Sequence, residues 1–113
     1  MKITIIGAGG IGATLGARLA LAGHTVALVA RGAQLQAIAR DGLALHDHVN
    51  GIERRLLLAV SDDPAAIARA HGVQDLVVIG LKAHAIAPML PRLAPLVADH
   101  TTVLPAINGL PWW

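Results

Sequence analysis

Residues 2–12, KITIIGAGGIG, join a short apolar run to a glycine-spaced turn, and this junction restricts the fold more than any other stretch of the chain. The run is too short for a helix and reads as a buried strand, after which Ile11, Leu15, Leu19 and Ala22 recur at helical spacing over residues 10–22. HTVALVA, residues 24–30, is a second strand. Two strands joined through one helix by tight turns make a βαβ unit with parallel strands and a right-handed crossover. Gly7, Gly9 and Gly12 then fall on the pattern G-x-G-x-x-G where a strand meets a helix, the context in which that pattern binds a dinucleotide. The first glycine permits the tight turn, the second lets a pyrophosphate approach the backbone, and the third lets helix and strand pack closely. Unpaired N–H groups at the helix start, with the helix dipole behind them, attract the phosphates without any basic side chain. A plain strand-to-helix connection is the competing reading, and the complete strand–helix–strand context favours the nucleotide. Gly10 and Gly16 are assigned to turn flexibility and packing.

The end of the second strand carries the next constraint. Sites that take NAD place an acidic residue there, roughly 20 residues beyond the glycines, to hold the ribose 2′-hydroxyl. Here the segment reads Val29-Ala30-Arg31-Gly32, and no carboxylate occurs between Gly12 and Asp41. A guanidinium presents a planar fork of donors suited to a phosphate, so Arg31 points to the 2′-phosphate of NADP. The alternative is a solvated arginine that opens the next helix.

Beyond Arg31 the pattern stays α/β. A short helix is expected over residues 33–40, ending at Gly42, and then LALHD and IERRLLLAV flank HVNG, whose Asn-Gly pair signals a hairpin. Asp63 and Pro64 mark the N-cap and first position of a further helix that Gly72 terminates. DLVVIGL is a strand buried on both faces, as a parallel sheet requires. Leu90, Leu93 and Val97 give residues 86–98 a helical face, but Pro88, Pro91 and Pro95 predict a late start or a kink near Pro95. TTVLPAI is the last strand. The whole is a Rossmann-type open, mostly parallel sheet with helices on both faces, in one domain over residues 1–113.

Composition removes several function classes. The chain has no cysteine, which excludes disulfides, a thiolate nucleophile and cysteine-bound metal. Five glycines and Arg18 interrupt the N-terminal apolar stretch, so it is no signal peptide, and no run reaches the roughly 18 apolar residues of a membrane span. A cytoplasmic protein is expected. Nine lysines and arginines against seven acids are scattered, and aromatics are 2%, which leaves neither a phosphate stripe nor stacking platforms for nucleic acid. Hydrophobic residues reach 55% and charged residues 14%, so part of the surface is expected to meet a partner, with a homodimer as one such assembly.

In an open sheet the ligand lies across the carboxyl ends of the strands, which brings in GLKAHA and INGLPWW. Lys82 is one of two lysines and follows a buried strand, facing either an anion or solvent. Asn108-Gly109 alone is an ordinary turn. Taken together, KITIIGAGGIGATLGARLALAGHTVALVARG, DLVVIGLKAH and TTVLPAINGLPWW resemble the N-terminal domain of the ketopantoate reductases (2-dehydropantoate 2-reductases) along the entire chain. The resemblance implies NADPH-dependent reduction of 2-dehydropantoate to pantoate, on the route to pantothenate and coenzyme A. It implies that Gly7, Ala8, Gly9, Gly10, Ile11 and Gly12 hold the pyrophosphate and Arg31 the 2′-phosphate. It further implies that Lys82 contacts the cofactor and that Asn108 lies at the nicotinamide ribose beside the 2-oxo acid substrate. In this family the acid–base lysine and a glutamate belong to a C-terminal helical domain that residues 1–113 do not include, so the chain is expected to bind cofactor without turnover.

Six histidines invite a metal reading, with His46 and His48 flanking Asp47, but two imidazoles beside a hairpin are more often solvated turn residues. His84, just past Lys82, is read as a helix-start residue and not as an acid or base. Two rivals stand beside the reductase: an NADP-dependent enzyme for another 2-oxo acid or a hydroxy acid, and a non-catalytic nucleotide-sensing domain on the same fold.

Overall fold

A computed structural model describes residues 1–106, and of Ile52 the backbone alone. The motif begins with strand β1 (Lys2–Ile6), helix α1 (Gly10–Leu21) and strand β2 (Thr25–Val29). Helix α2 (Gly32–Asp41) leads into a hairpin of β3 (Leu43–Asp47) and β4 (Ile52–Leu56). Strand β5 (Ala59–Ser61), helix α3 (Pro64–His71), strand β6 (Leu76–Ile79), helix α4 (Ala83–Met89), a 3-10 segment (Leu90–Leu96) and strand β7 (Thr102–Pro105) follow. Five strands form one sheet in the order β5-β2-β1-β6-β7, with every neighbouring pair parallel. The order reverses at β1, because the chain first steps to β2 and later returns to the other side of β1 as β6.

Side-chain alternation along the central strands separates two cores. Ile3, Ile5, Val26, Leu28 and Val78 face Ala17 of α1, Ile38 of α2 and the hairpin residues Leu43 and Leu45. Their neighbours Ile6, Ala27, Val29, Val77 and Ile79 face Ile67 of α3, Ile86 of α4, and Leu93 and Leu96 of the 3-10 segment. Helices therefore cover both faces, the arrangement a buried parallel sheet needs. Asp63 caps α3 as its sequence predicts, its carboxylate accepting the Ala65 N–H at 3.0 Å with Pro64 at the first turn.

Three expectations are corrected. The run IERRLLLAV is not one strand, since Ile52–Leu56 pairs with β3 while Ala59–Ser61 joins β2 in the main sheet. Leu57 and Leu58 lie outside both strands, and the backbone passes there from the hairpin to the main sheet. Residues 86–98 begin helical structure early, at Ala83, and lose α geometry at Leu90. Pro88 and Pro91 both lack an N–H for the carbonyl one turn back, and the tighter 3-10 turn takes over from Leu90, ahead of Pro95. Finally, α1 does not bury the stripe led by Ile11, which is 55% exposed; Gly12, Gly16 and Ala17 are its buried residues. Leu15 and Leu19 pack only at the margin of the core.

Candidate functional site: a glycine-lined cleft at the sheet reversal

The turn from β1 into α1 is built by contacts that a side chain would destroy. Gly7 sits at φ +98°, outside the range of ordinary L-residues, and an added Cβ would lie 2.9 Å from Leu81 Cδ2. Its N–H donates to Val29 O at 2.9 Å, fastening the turn to the end of β2. A Cβ on Gly12 would run into the Gly7 carbonyl oxygen, so helix and strand meet backbone to backbone. Gly9 is different. It has an ordinary extended conformation, φ −68° and ψ −179°, and a Cβ there would meet nothing within 4 Å.

The open side of Gly9 faces a cleft of about 320 Å³ lined by Gly9, Gly10, Ile11, Leu81, Lys82 and Ala106, among others. Gly80, at the end of β6, completes its floor; its N–H donates to Ile6 O at 2.8 Å, which draws the end of β6 against the glycine turn. The first α1 bond runs from Ala13 N–H to Gly9 O at 2.8 Å, so the N–H groups of Gly10, Ile11 and Gly12 have no carbonyl one turn back. With the α1 dipole behind them, these donors make an anion site. Among the described residues no carboxylate lines the cleft, and Lys82, which is exposed, adds a positive charge at its rim.

Arg31 occupies the N-cap position of α2, two residues beyond β2, and lies on the opposite side of the glycine turn from Lys82. Its side chain is exposed, and among the described residues it enters no ion pair. The structure thus brings Gly7, Ala8, Gly9, Gly10, Ile11, Gly12 and Lys82 together, with Arg31 flanking them. Asn108 lies outside the described residues. Gly80 and Ala106 were not singled out by sequence reasoning. A glycine ending the strand beside the motif was the available signal for Gly80, whereas an alanine carries none.

Among the described residues no histidine lines the cleft; His84, exposed in the first turn of α4, follows the lining residue Ala83. His46 Nδ1 lies 3.4 Å from Glu53 Oε1 across the hairpin, His48 is in the turn, and among the described residues no group of three or more potential ligands surrounds a metal position. No helix among them is long and apolar enough to cross a membrane.

The family model of ketopantoate reductase PanE/ApbA matches residues 3–111. The chain belongs to the ketopantoate reductase family. A 2-dehydropantoate 2-reductase of Mesorhizobium japonicum is 49% identical over 100% of this chain and 33% of its own length. The chain thus spans about a third of the relatives it matches. A solved Ralstonia solanacearum chain assigned to the ketopantoate reductases superposes with TM-score 0.86 at 43% identity, covering 98% of this chain and 33% of that one. A D-mandelate dehydrogenase solved with NADH and anilino(oxo)acetate superposes at 0.83 with 29% identity, covering 98% of this chain and 35% of that one. Ketopantoate reductases are oxidoreductases that use a nicotinamide cofactor, and the Rossmann-type sheet described above is their N-terminal fold.

Proposed function

We propose that this chain is the NADP(H)-binding part of a 2-dehydropantoate 2-reductase. The observation that carries the reading is the placement of a glycine-lined, carboxylate-free cleft at the sheet reversal, with a free arginine just past the end of the neighbouring strand. The empty space beside Gly9 accepts a pyrophosphate where any larger residue would intrude. Gly7 and Gly12 shape the turn, Gly9, Gly10 and Ile11 with Gly12 offer backbone donors, and the Ala8 peptide lies between them. Arg31 holds the 2′-phosphate with its guanidinium fork. Lys82 balances cofactor charge at the cleft rim, and Asn108 orients the nicotinamide ribose and the 2-oxo acid. Bound there, the cofactor supplies the hydride that reduces the ketone carbon. No acid–base residue for that reduction is assigned within residues 1–113.

A second reading, a reductase for a different 2-oxo acid, is supported by the likeness to a dehydrogenase solved with an oxoacetate ligand and NADH. The two readings share the cleft and Arg31 and differ in the 2-oxo acid reduced. Fluorescence titration of the chain with NADPH and NADH, repeated on Arg31→Ala, tests the cofactor assignment on which both rest. An arginine–phosphate pair of about 1.5–3 kcal/mol predicts roughly tenfold to a hundredfold preference for NADPH, lost in the variant. Equal affinity for the two nucleotides in the parent chain overturns the NADP assignment.

A further inference from the structure

The first turn of α2 makes a contact with the glycine turn that the nucleotide motif does not call for. Gln34, exposed and three residues past Arg31, donates its side-chain Nε2–H to the carbonyl oxygen of Ala8. Ala8 is itself buried, and its carbonyl belongs to the peptide that joins it to Gly9. In a trans peptide the C=O and N–H lie on opposite edges of one plane, so the direction of one dictates the direction of the other. Holding Ala8 O toward α2 therefore aims the Gly9 N–H away from α2, on the side where Gly9 borders the cleft.

We infer that Gln34 is a positioning residue that orients the Ala8–Gly9 peptide so that its N–H donates to the bound pyrophosphate. The role rests on the nucleotide-binding reading above. Without the Gln34 donor, this peptide is held only by the Gly7 N–H to Val29 O bond on its N-terminal side and the start of α1 on its other side. Rotation of this peptide turns on ψ of Ala8 and φ of Gly9, and Gly9, which has no Cβ, leaves that rotation cheap. Gln34 removes that freedom before the ligand arrives, which is where preorganisation gains affinity. Arg31 and Gln34 thus divide the work of one helix start: Arg31 reads the 2′-phosphate and Gln34 sets the pyrophosphate donor.

The test compares the parent chain with Gln34→Ala and with Gln34→Met, which keeps the length of the side chain and drops the donor. Ligands are NADPH, NADH, ADP-ribose and adenosine 2′-monophosphate, the last of which has no pyrophosphate. Loss of one hydrogen bond predicts weaker binding of the first three by a common factor of about three to ten in both variants. Adenosine 2′-monophosphate affinity, the NADPH-to-NADH ratio and the melting temperature of the free chain stay unchanged. An effect confined to NADPH and adenosine 2′-monophosphate overturns the inference, because Gln34 would then touch the 2′-phosphate directly. No change for any ligand, or a fall in melting temperature with equal losses for all four, overturns it as well. The Gly9 amide resonance of the nucleotide-free chain gives a reading that needs no ligand, since it shifts in both Gln34 variants and stays in place in Arg31→Ala. If the parent chain binds no nucleotide, the cofactor reading falls, and a Gly9 amide that does not shift overturns the positioning role.

Discussion

Gly9 and Gly12 stand three residues apart in one motif, yet the contacts around them predict opposite failures. A methyl group on Gly12 meets the Gly7 carbonyl oxygen, so Gly12→Ala forces α1 away from β1 and costs stability on the scale of overpacking, about 1–3 kcal/mol in a denaturant titration. A methyl group on Gly9 meets nothing within 4 Å in the free chain. Gly9→Ala should therefore leave the melting temperature close to that of the parent chain and lower NADPH affinity by about tenfold or more, because the methyl takes the space of the pyrophosphate. Equal effects on stability and binding in both variants would contradict this division. Both glycines were legible in the sequence, and the pattern already divides them in this way, the second for the phosphates and the third for packing. Arg31 was legible too, through the absence of an acid before Asp41. Gln34 was not, since its contact depends on how the first turn of α2 lies against the glycine turn.

The hairpin and α1 are held together by a charge that sequence reasoning did not single out. Arg18 of α1 lies 2.7 Å from Asp47 at the end of β3, and the same carboxylate accepts the Val49 and Asn50 N–H groups and the Asn50 side-chain amide. The Arg18 hydrogen bond first, and the Asn50 bonds after it, hold the Asp47 carboxyl well below the usual carboxylate range. A carboxyl whose pKa is lowered by folding binds fewer protons in the folded chain than in the unfolded one. Its stabilisation is thus complete above the ordinary carboxylate range and is lost as pH falls through it. The melting-temperature advantage of the parent chain over Asp47→Asn should be full at neutral pH and shrink as pH drops below about 4. An advantage independent of pH would show that the contact acts through packing alone. On the other face, Leu96 of the 3-10 segment is fully buried, and Leu96→Ala should cost about 2–5 kcal/mol despite the irregular backbone that carries it. The proline spacing announced a disturbance in this element, and α geometry gives way at Leu90, where Pro88 and Pro91 have removed two N–H donors from one run.

At the scale of the molecule, the two sheet edges differ among the described residues. On the β5 side the strand is three residues long, which limits what can pair with it. On the β7 side all four residues are exposed, and Val103 and Leu104 present 43% and 48% of their surface. Parallel pairing with β6 leaves the other edge of β7 without a partner among the described residues. This chain should self-associate at high concentration through that edge, and Leu104→Lys should lower the mean particle mass in light scattering with little change in melting temperature. Unchanged association would move the contact to another apolar surface, of which Leu57, 84% exposed beside the hairpin, is the largest single exposure near β5.

Local patterns determined the parallel sheet, the glycine turn, the capping of α3 and the hairpin at HVNG, because each follows from spacing and backbone chemistry within a few residues. The sequence also named the charge at Arg31, since one residue at a strand end is a local fact. Tertiary structure alone decided that Gly80 and Ala106 help line the cleft, that IERRLLLAV divides between two sheets, and that Arg18 meets Asp47. Each of these depends on distant segments arriving at one place, and contact across the fold leaves no periodicity in the chain.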